Sequence, residues 1–145
     1  MKGRKRMGSY QLINFDVRGD SKGSLIAITG AKEIPFSISR IFYIFGTGKD
    51  VVRGKHANKK TKHILIALSG SCEVVVDDGK KRETFQLDSP DKGLFIDNLV
   101  WKDMKKFTKD CVLLVLANTE YDQYEYLRDY NEFKQTIDSK RKTTD

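Results

Sequence analysis

Arg53-Gly54-Lys55-His56-Ala57-Asn58-Lys59 places a cation, a glycine and a histidine immediately ahead of a strand-like run, residues 62–68. The chain holds two histidines, His56 and His63, and they lie close together in the sequence. An imidazole changes charge near neutral pH, so it can take up or release a proton. A guanidinium beside it can hold a phosphate or a developing oxyanion through paired, charge-assisted hydrogen bonds. The segment points to proton transfer on an anionic substrate. Its plainer reading is a charged loop between two strands, because short motifs also occur by chance.

Such a site needs elements to position it. Short β-type runs recur along the chain with turn residues between them: 10–15, 24–28, 38–45, 62–68, 72–76, 82–87, 94–96, 100–101 with 104–107, and 111–116. Asp77-Asp78-Gly79-Lys80 lies between two of these runs, and Asp-Gly in that setting is a hairpin signal. Residues 111–116 are continuously apolar, as in a strand buried on both faces. The pattern then changes. Tyr126, Leu127, Tyr130, Phe133 and Ile137 recur at helical spacing and predict a helix over 121–137. About ten short strands closed by one helix predict an all-β barrel or jelly roll with a single C-terminal helix. The expected core spans about residues 10–137, with flexible tails at 1–9 and 138–145.

Composition narrows the function. The length, 145 residues, fits one domain with a sizeable core. With 39% hydrophobic and 32% charged residues, a soluble protein is expected. No apolar run approaches the ~20 residues of a membrane helix, so no membrane association is expected. Met1-Lys2-Gly3-Arg4-Lys5-Arg6 is basic, but no hydrophobic signal core follows it, and a cytoplasmic location is the expectation. Cys72 and Cys111 sit inside apolar runs and read as buried free thiols. A net charge of +7 favours anionic partners. The basic residues are scattered, and neither a recognition helix nor an aromatic-studded basic sheet appears. Nucleic acid is therefore not an expected partner, whereas a sugar nucleotide is a candidate.

The run Arg53-Gly54-Lys55-His56-Ala57-Asn58-Lys59-Lys60 resembles the Arg-Gly-x-His-Ala-His-Lys-Lys segment of bacterial sugar-nucleotide 3,4-ketoisomerases. The similarity continues upstream through Pro35-Phe36-Ser37-Ile38 and Arg40-Ile41-Phe42-Tyr43-Ile44-Phe45. Downstream it takes in Leu68-Ser69-Gly70-Ser71-Cys72-Glu73-Val74, Val76-Asp77-Asp78-Gly79, Leu87-Asp88-Ser89-Pro90, Val100-Trp101 and Tyr126-Leu127-Arg128-Asp129-Tyr130. It covers the chain from about Leu12 to Ile137.

The resemblance implies a cupin jelly roll, a double-stranded β-helix, that forms a homodimer by exchanging N-terminal strands. It implies an isomerase that moves the ketone of dTDP-4-keto-6-deoxyglucose from C4 to C3, with no cofactor and no metal. Family products feed 3-amino-3,6-dideoxyhexoses of lipopolysaccharide or S-layer glycans. The chemistry needs a base for the C3 hydrogen, which the C4 ketone acidifies, and a donor for the enediol oxygens. The hydrogen moves as a proton, so no redox group is called for.

By resemblance, His56 is the base. Asn58 stands where family members carry a second histidine, two residues along on the same strand face, and is counted with His56 among the catalytic residues, orienting the sugar hydroxyls if His56 alone is the base. Asparagine donates and accepts hydrogen bonds but shuttles no proton near neutral pH. Arg53 is expected on the pyrophosphate. Tyr43, Trp101 and Tyr121 are expected to pack on the sugar or donate a hydroxyl. Lys22 and Lys102 occupy variable positions that bear on which face of C4 receives the proton. His63 is a further candidate substrate contact. Metal-binding cupins use His-x-His, a carboxylate and a distal histidine. The corresponding residues here, His56, Asn58, His63 and Lys102, are not such a set. Two other readings compete: a catalytically weak sugar-nucleotide-binding cupin, and a 3,5-epimerase, which would pair its histidine with a carboxylate.

Overall fold

The protein is described by a computed structural model over residues 8–144, so the basic run at residues 1–6 lies outside the described residues. The elements in chain order are β1 (Tyr10–Asn14), β2 (Arg18–Asp20), β3 (Gly23–Leu25), β4 (Arg40–Phe45), β5 (Arg53–Asn58), β6 (His63–Ser69), β7 (Cys72–Asp77), β8 (Arg82–Leu87), β9 (Lys92–Ile96), β10 (Trp101–Lys105), β11 (Val112–Ala117), β12 (Tyr126–Leu127) and α1 (Tyr130–Thr144). Two antiparallel five-stranded sheets form the jelly roll, in orders β1-β9-β6-β11-β4 and β12-β5-β10-β7-β8. A separate hairpin, β2-β3, makes a third, two-stranded sheet.

Side chains alternate across each strand, and this alternation builds the layers. Leu65, Ala67, Val74, Val76, Leu94, Ile96, Leu113 and Val115 face one another in the main core. The intervening residues of β6, Ile64 and Ile66, turn to the other face of their sheet. There they pack with Phe15, Ile34, Phe36 and Leu116 in a second cluster. The segment between β3 and β4 therefore covers that sheet face, which explains why β6 and β11 read as continuously apolar. Asp77 pairs with Arg82 across the β7-β8 hairpin, with Gly79 at φ +92° in its turn. Cys72 and Cys111 are buried free thiols, and burial pushes the Cys72 thiol up to about 12.

Three expectations are corrected. The run at 24–28 is strand only to Leu25; Ile26 and Ile28 instead pack as loop residues on the second cluster. The helix does not begin at 121. Gln123–Glu125 form a 3-10 turn, Tyr126 and Leu127 pair with Asn58 and Ala57 of β5, and α1 starts at Tyr130. Asp129 marks that start, since its carboxylate accepts the Glu132 N–H at 3.0 Å, as an N-cap should. Tyr126 and Leu127 matched a helical spacing, yet they point to opposite sides of a strand. Finally, the helix does not end at 137; α1 runs on to Thr144.

Candidate active site

β5 carries the motif and is bent beside His56. Lys102 of β10 pairs with His56, but the next residue, Asp103, pairs with Gly54, so Lys55 is the extra residue of a β-bulge. Gly54 and Lys55 both have positive φ, +86° and +55°. A side chain at Gly54 would place its Cβ 2.8 Å from the Lys102 carbonyl oxygen, so only glycine permits this approach of β5 to β10. The bulge folds His56 back on its own strand: its Nδ1 lies 3.0 Å from the Gly54 carbonyl oxygen. A carbonyl only accepts, so Nδ1 carries the hydrogen and Nε2 keeps its lone pair.

His56 opens into a cavity of about 390 Å³ between the two sheets. Arg40, Arg53, Lys102, His63, Phe42 and Tyr126 are among its lining residues. Burial, reinforced by the Lys102 cation, pushes His56 down to about 4, so the ring is neutral at physiological pH. The Tyr126 ring meets the His56 ring edge-on at 4.8 Å. Arg40 lies over Phe42 at 4.6 Å and Tyr121 at 5.0 Å, and Tyr121 in turn contacts Tyr126 at 6.0 Å. Aromatic rings and guanidinium thus form one continuous wall.

Behind His56 lies a polar chain. Lys102, 3% exposed, donates from Nζ to Asn58 Oδ1 at 3.0 Å. Asn58, 1% exposed, donates from Nδ2 to Glu125 Oε1 at 2.5 Å. Glu125 also accepts from the Thr61 hydroxyl and from the backbone N–H groups of Lys60 and Thr61. Burial pulls the Glu125 carboxyl up, but these hydrogen bonds outweigh it and hold the carboxyl below its ordinary value. Burial brings the Lys102 ammonium down to about 8, with Glu125 opposing. His63 faces the same interior at 4% exposure, its Nδ1 without a hydrogen-bond partner among the described residues. Burial and the Lys102 charge push it down to about 2.

The structure gathers His56, Arg53, His63 and Lys102 around one cavity, as the sequence suggests. Asn58 does not line it; Lys102 and Glu125 take up its two polar ends. Tyr43 borders the cavity, but its side chain stands on the outer side of β4, 61% exposed and stacked on Phe45 at 6.1 Å. Tyr121 reaches the site through Arg40 and Tyr126. Two expectations fail within the chain. Trp101 points to the opposite face of its sheet, packed on Tyr130 and Phe133 of α1, because it neighbours inward-facing Lys102 on β10. Lys22 sits in the exposed β2-β3 turn, outside the cavity of its own chain. Sequence reasoning missed Arg40, Phe42, Tyr126 and Glu125. The alternation Arg40-Phe42-Ile44 was a usable signal for the first two. Nothing local marks Glu125. Among the described residues, no three of His, Cys, Asp and Glu gather as a metal-ligand set.

A two-sheet antiparallel roll with a neutral histidine and several cations lining its interior is a cupin built for acid–base work on an anionic ligand. Residues 8–138 match the family described as "FdtA: WxcM-like, C-terminal", and the chain belongs to that family. It is 47% identical over 127 residues to the TDP-4-oxo-6-deoxy-alpha-D-glucose-3,4-oxoisomerase of Aneurinibacillus thermoaerophilus, covering 88% of this chain and 91% of that protein. It resembles the crystal structure of a 3,4-ketoisomerase from Helicobacter canadensis, with 45% identity, a TM-score of 0.86, and coverage of 89% of this chain and 97% of that one. A histidine-to-asparagine mutant of the 3,4-ketoisomerase QdtA from Thermoanaerobacterium thermosaccharolyticum, in complex with TDP-4-keto-6-deoxyglucose, is 36% identical with a TM-score of 0.88, over 92% of this chain and 97% of that one. An epimerase from Mycobacterium tuberculosis, 17% identical with a TM-score of 0.70, shares the fold alone.

Proposed function

We propose that this protein is a sugar-nucleotide 3,4-ketoisomerase that moves the carbonyl of TDP-4-keto-6-deoxyglucose from C4 to C3 through an enediol. The observation that carries the reading is His56: a neutral imidazole with its Nε2 lone pair available, in a cavity lined by Arg40, Arg53 and Lys102. The 47% identity to a named oxoisomerase supports the same reaction. His56 removes the C3 proton. Arg53 and Arg40 hold the pyrophosphate. His63, neutral and with an unpartnered Nδ1, meets a sugar hydroxyl, and Tyr43 and Tyr121 border the sugar's entry.

The ketone product then serves amination at C3, toward deoxyamino sugars of lipopolysaccharide or other surface glycans. We infer a cytoplasmic location, where nucleotide sugars are assembled, and a homodimer with exchanged N-terminal strands. Two sheet edges support the dimer: β1, paired here with β9 of its own chain, and β4, whose outer face exposes Ile41, Tyr43 and Phe45. Lys22 would meet substrate only if exchange carried its hairpin to a partner's cavity. Light scattering tests the dimer, and a monomer in solution would exclude exchange.

The test of the reaction is incubation with TDP-4-keto-6-deoxyglucose in deuterated water, followed by NMR. Ketone migration, with the carbonyl at C3 and a methine at C4, is the expected result. Deuterium at C3 and C5 without migration would make the protein an epimerase. No change would make it a binding protein.

A further inference from the structure

The ketone shift requires two kinds of proton movement. One proton leaves C3 and one reaches C4; separately, the hydroxyl proton of O3 must end on O4. His56 accounts for the carbon side. In this chain Asn58 stands at the position from which a second histidine would act, and an amide carries no proton between oxygens near neutral pH.

Lys102 is the group beside it. Its ammonium is buried, lines the cavity, and has one acceptor among the described residues, Asn58 Oδ1, for its three N–H donors. Asn58 is held in turn by Glu125, and Glu125 is tied to the backbone of Lys60 and Thr61. The ammonium is thus fixed at the cavity wall with donors to spare, on the strand that pairs with His56. We propose that Lys102 is the oxygen-side acid–base group of this enzyme, carrying the hydroxyl proton between O3 and O4, with Asn58 and Glu125 as its positioning residues. This rests on the ketoisomerase reading above.

The steps balance. His56 Nε2 takes the proton from C3 while the Lys102 ammonium gives one to O4, leaving a neutral enediol, an imidazolium and an amine. The amine then takes the O3 proton as the imidazolium returns its proton to C4. The carbonyl now lies at C3, and both side chains regain their starting protonation. The charges around the site support this division. A base held down near 4 is too weak to form a bare enediolate, so it needs a proton delivered to O4 in the same step. An ammonium brought down to about 8 is charged at neutral pH yet gives up its proton readily. The ionisable groups that share the cavity wall with Lys102 are His56 and Arg53 on β5, His63 on β6, Arg40 and Tyr43 on β4 and Tyr126 on β12, and Glu125 in the 3-10 turn acts on it from behind Asn58.

The experiment compares wild type, Lys102→Ala, Lys102→Met and Glu125→Gln by NMR-followed turnover of TDP-4-keto-6-deoxyglucose between pH 5 and 10. Thermal melting and TDP titration check that each variant is folded. The wild type should lose kcat as pH rises through about 8. Lys102→Ala and Lys102→Met should lose about 10²–10⁴-fold in kcat with a smaller change in KM. Methylamine should restore Lys102→Ala, with the alkaline limb moved toward the pKa of the added amine. Tetramethylammonium, a cation without a proton to give, should not. Glu125→Gln removes the anion that favours the ammonium, so its alkaline limb should move to lower pH, a shift that a purely structural role would not produce.

Equal rescue by tetramethylammonium overturns the proposal, because Lys102 would then serve as a charge alone. A folded Lys102→Ala within tenfold of wild type also overturns it, as does an adduct trapped by borohydride, which would make Lys102 a nucleophile. A wild type that leaves the substrate unchanged overturns the ketoisomerase reading itself, and this assignment with it.

Discussion

Trp101 and Lys102 are consecutive residues of β10, and they face opposite sides of the same sheet. On the outer side, Trp101 joins Ala57, Leu127, Phe133 and Ile137 in an apolar cluster beneath α1. On the inner side, Lys102, His56 and Asn58 bring charge and hydrogen bonds into a buried space. The outer face stabilises by volume: burying one aromatic or large aliphatic side chain contributes about 1.5–3 kcal/mol. The inner face costs stability, since two neutral imidazoles and an ammonium are desolvated there and His63 Nδ1 is left unpartnered. One sheet thus separates what holds the fold from what lines the candidate site, and the boundary is a single step along the strand.

That division can be broken from either side. The largest expected effect is on the inner face. His56→Asn should lower turnover by at least about 10²–10⁴-fold while the melting temperature holds or rises, because a desolvated ring is removed. Turnover by NMR and a thermal melt decide it; a rate within tenfold of wild type would remove His56 as the base. Next comes the outer face. Trp101→Ala should cost about 3–5 kcal/mol of stability in urea unfolding, with kcat per folded molecule unchanged. A loss of kcat at unchanged stability would return Trp101 to the substrate site.

Arg53→Ala should weaken TDP binding by about 1.5–3 kcal/mol in calorimetric titration and leave the melt unchanged. Unaltered affinity would move the pyrophosphate elsewhere, with Arg40 the next candidate. The smallest effect sharpens the contrast through pH. His56 and His63 have folded values near 4 and 2, below the ~6.5 of an unfolded histidine, so the unfolded chain binds protons first as pH falls. Their contribution to stability is complete above about pH 6.5 and declines below it, by up to about 1.4 kcal/mol per pH unit for each ring. His56→Asn should flatten that slope in unfolding measured from pH 7 to 4.5. An identical slope would mean that His56 is solvated in the native state.

The sequence by itself marked most of the strands, the turn between β7 and β8, and Arg53 and His56 as the central candidate residues. Alternating apolar residues announce a half-buried strand, Asp78-Gly79 announces its hairpin, and Arg53 with His56 announces proton chemistry beside an anion, because each signal is local. Tertiary structure decided the rest. Alternation says that Trp101 and Lys102 lie on different faces but not which face is the cavity. That depends on where α1 packs. Asn58, Lys102 and Glu125 are far apart in the chain, and they become one hydrogen-bonded unit only when β10 and the 3-10 turn close on β5. Tyr126 and Leu127 carry helical spacing, yet the backbone of β5 claims them as a strand. Local patterns set the preferences of each segment. The burial of particular side chains against distant partners set the protonation states, and with them the chemistry.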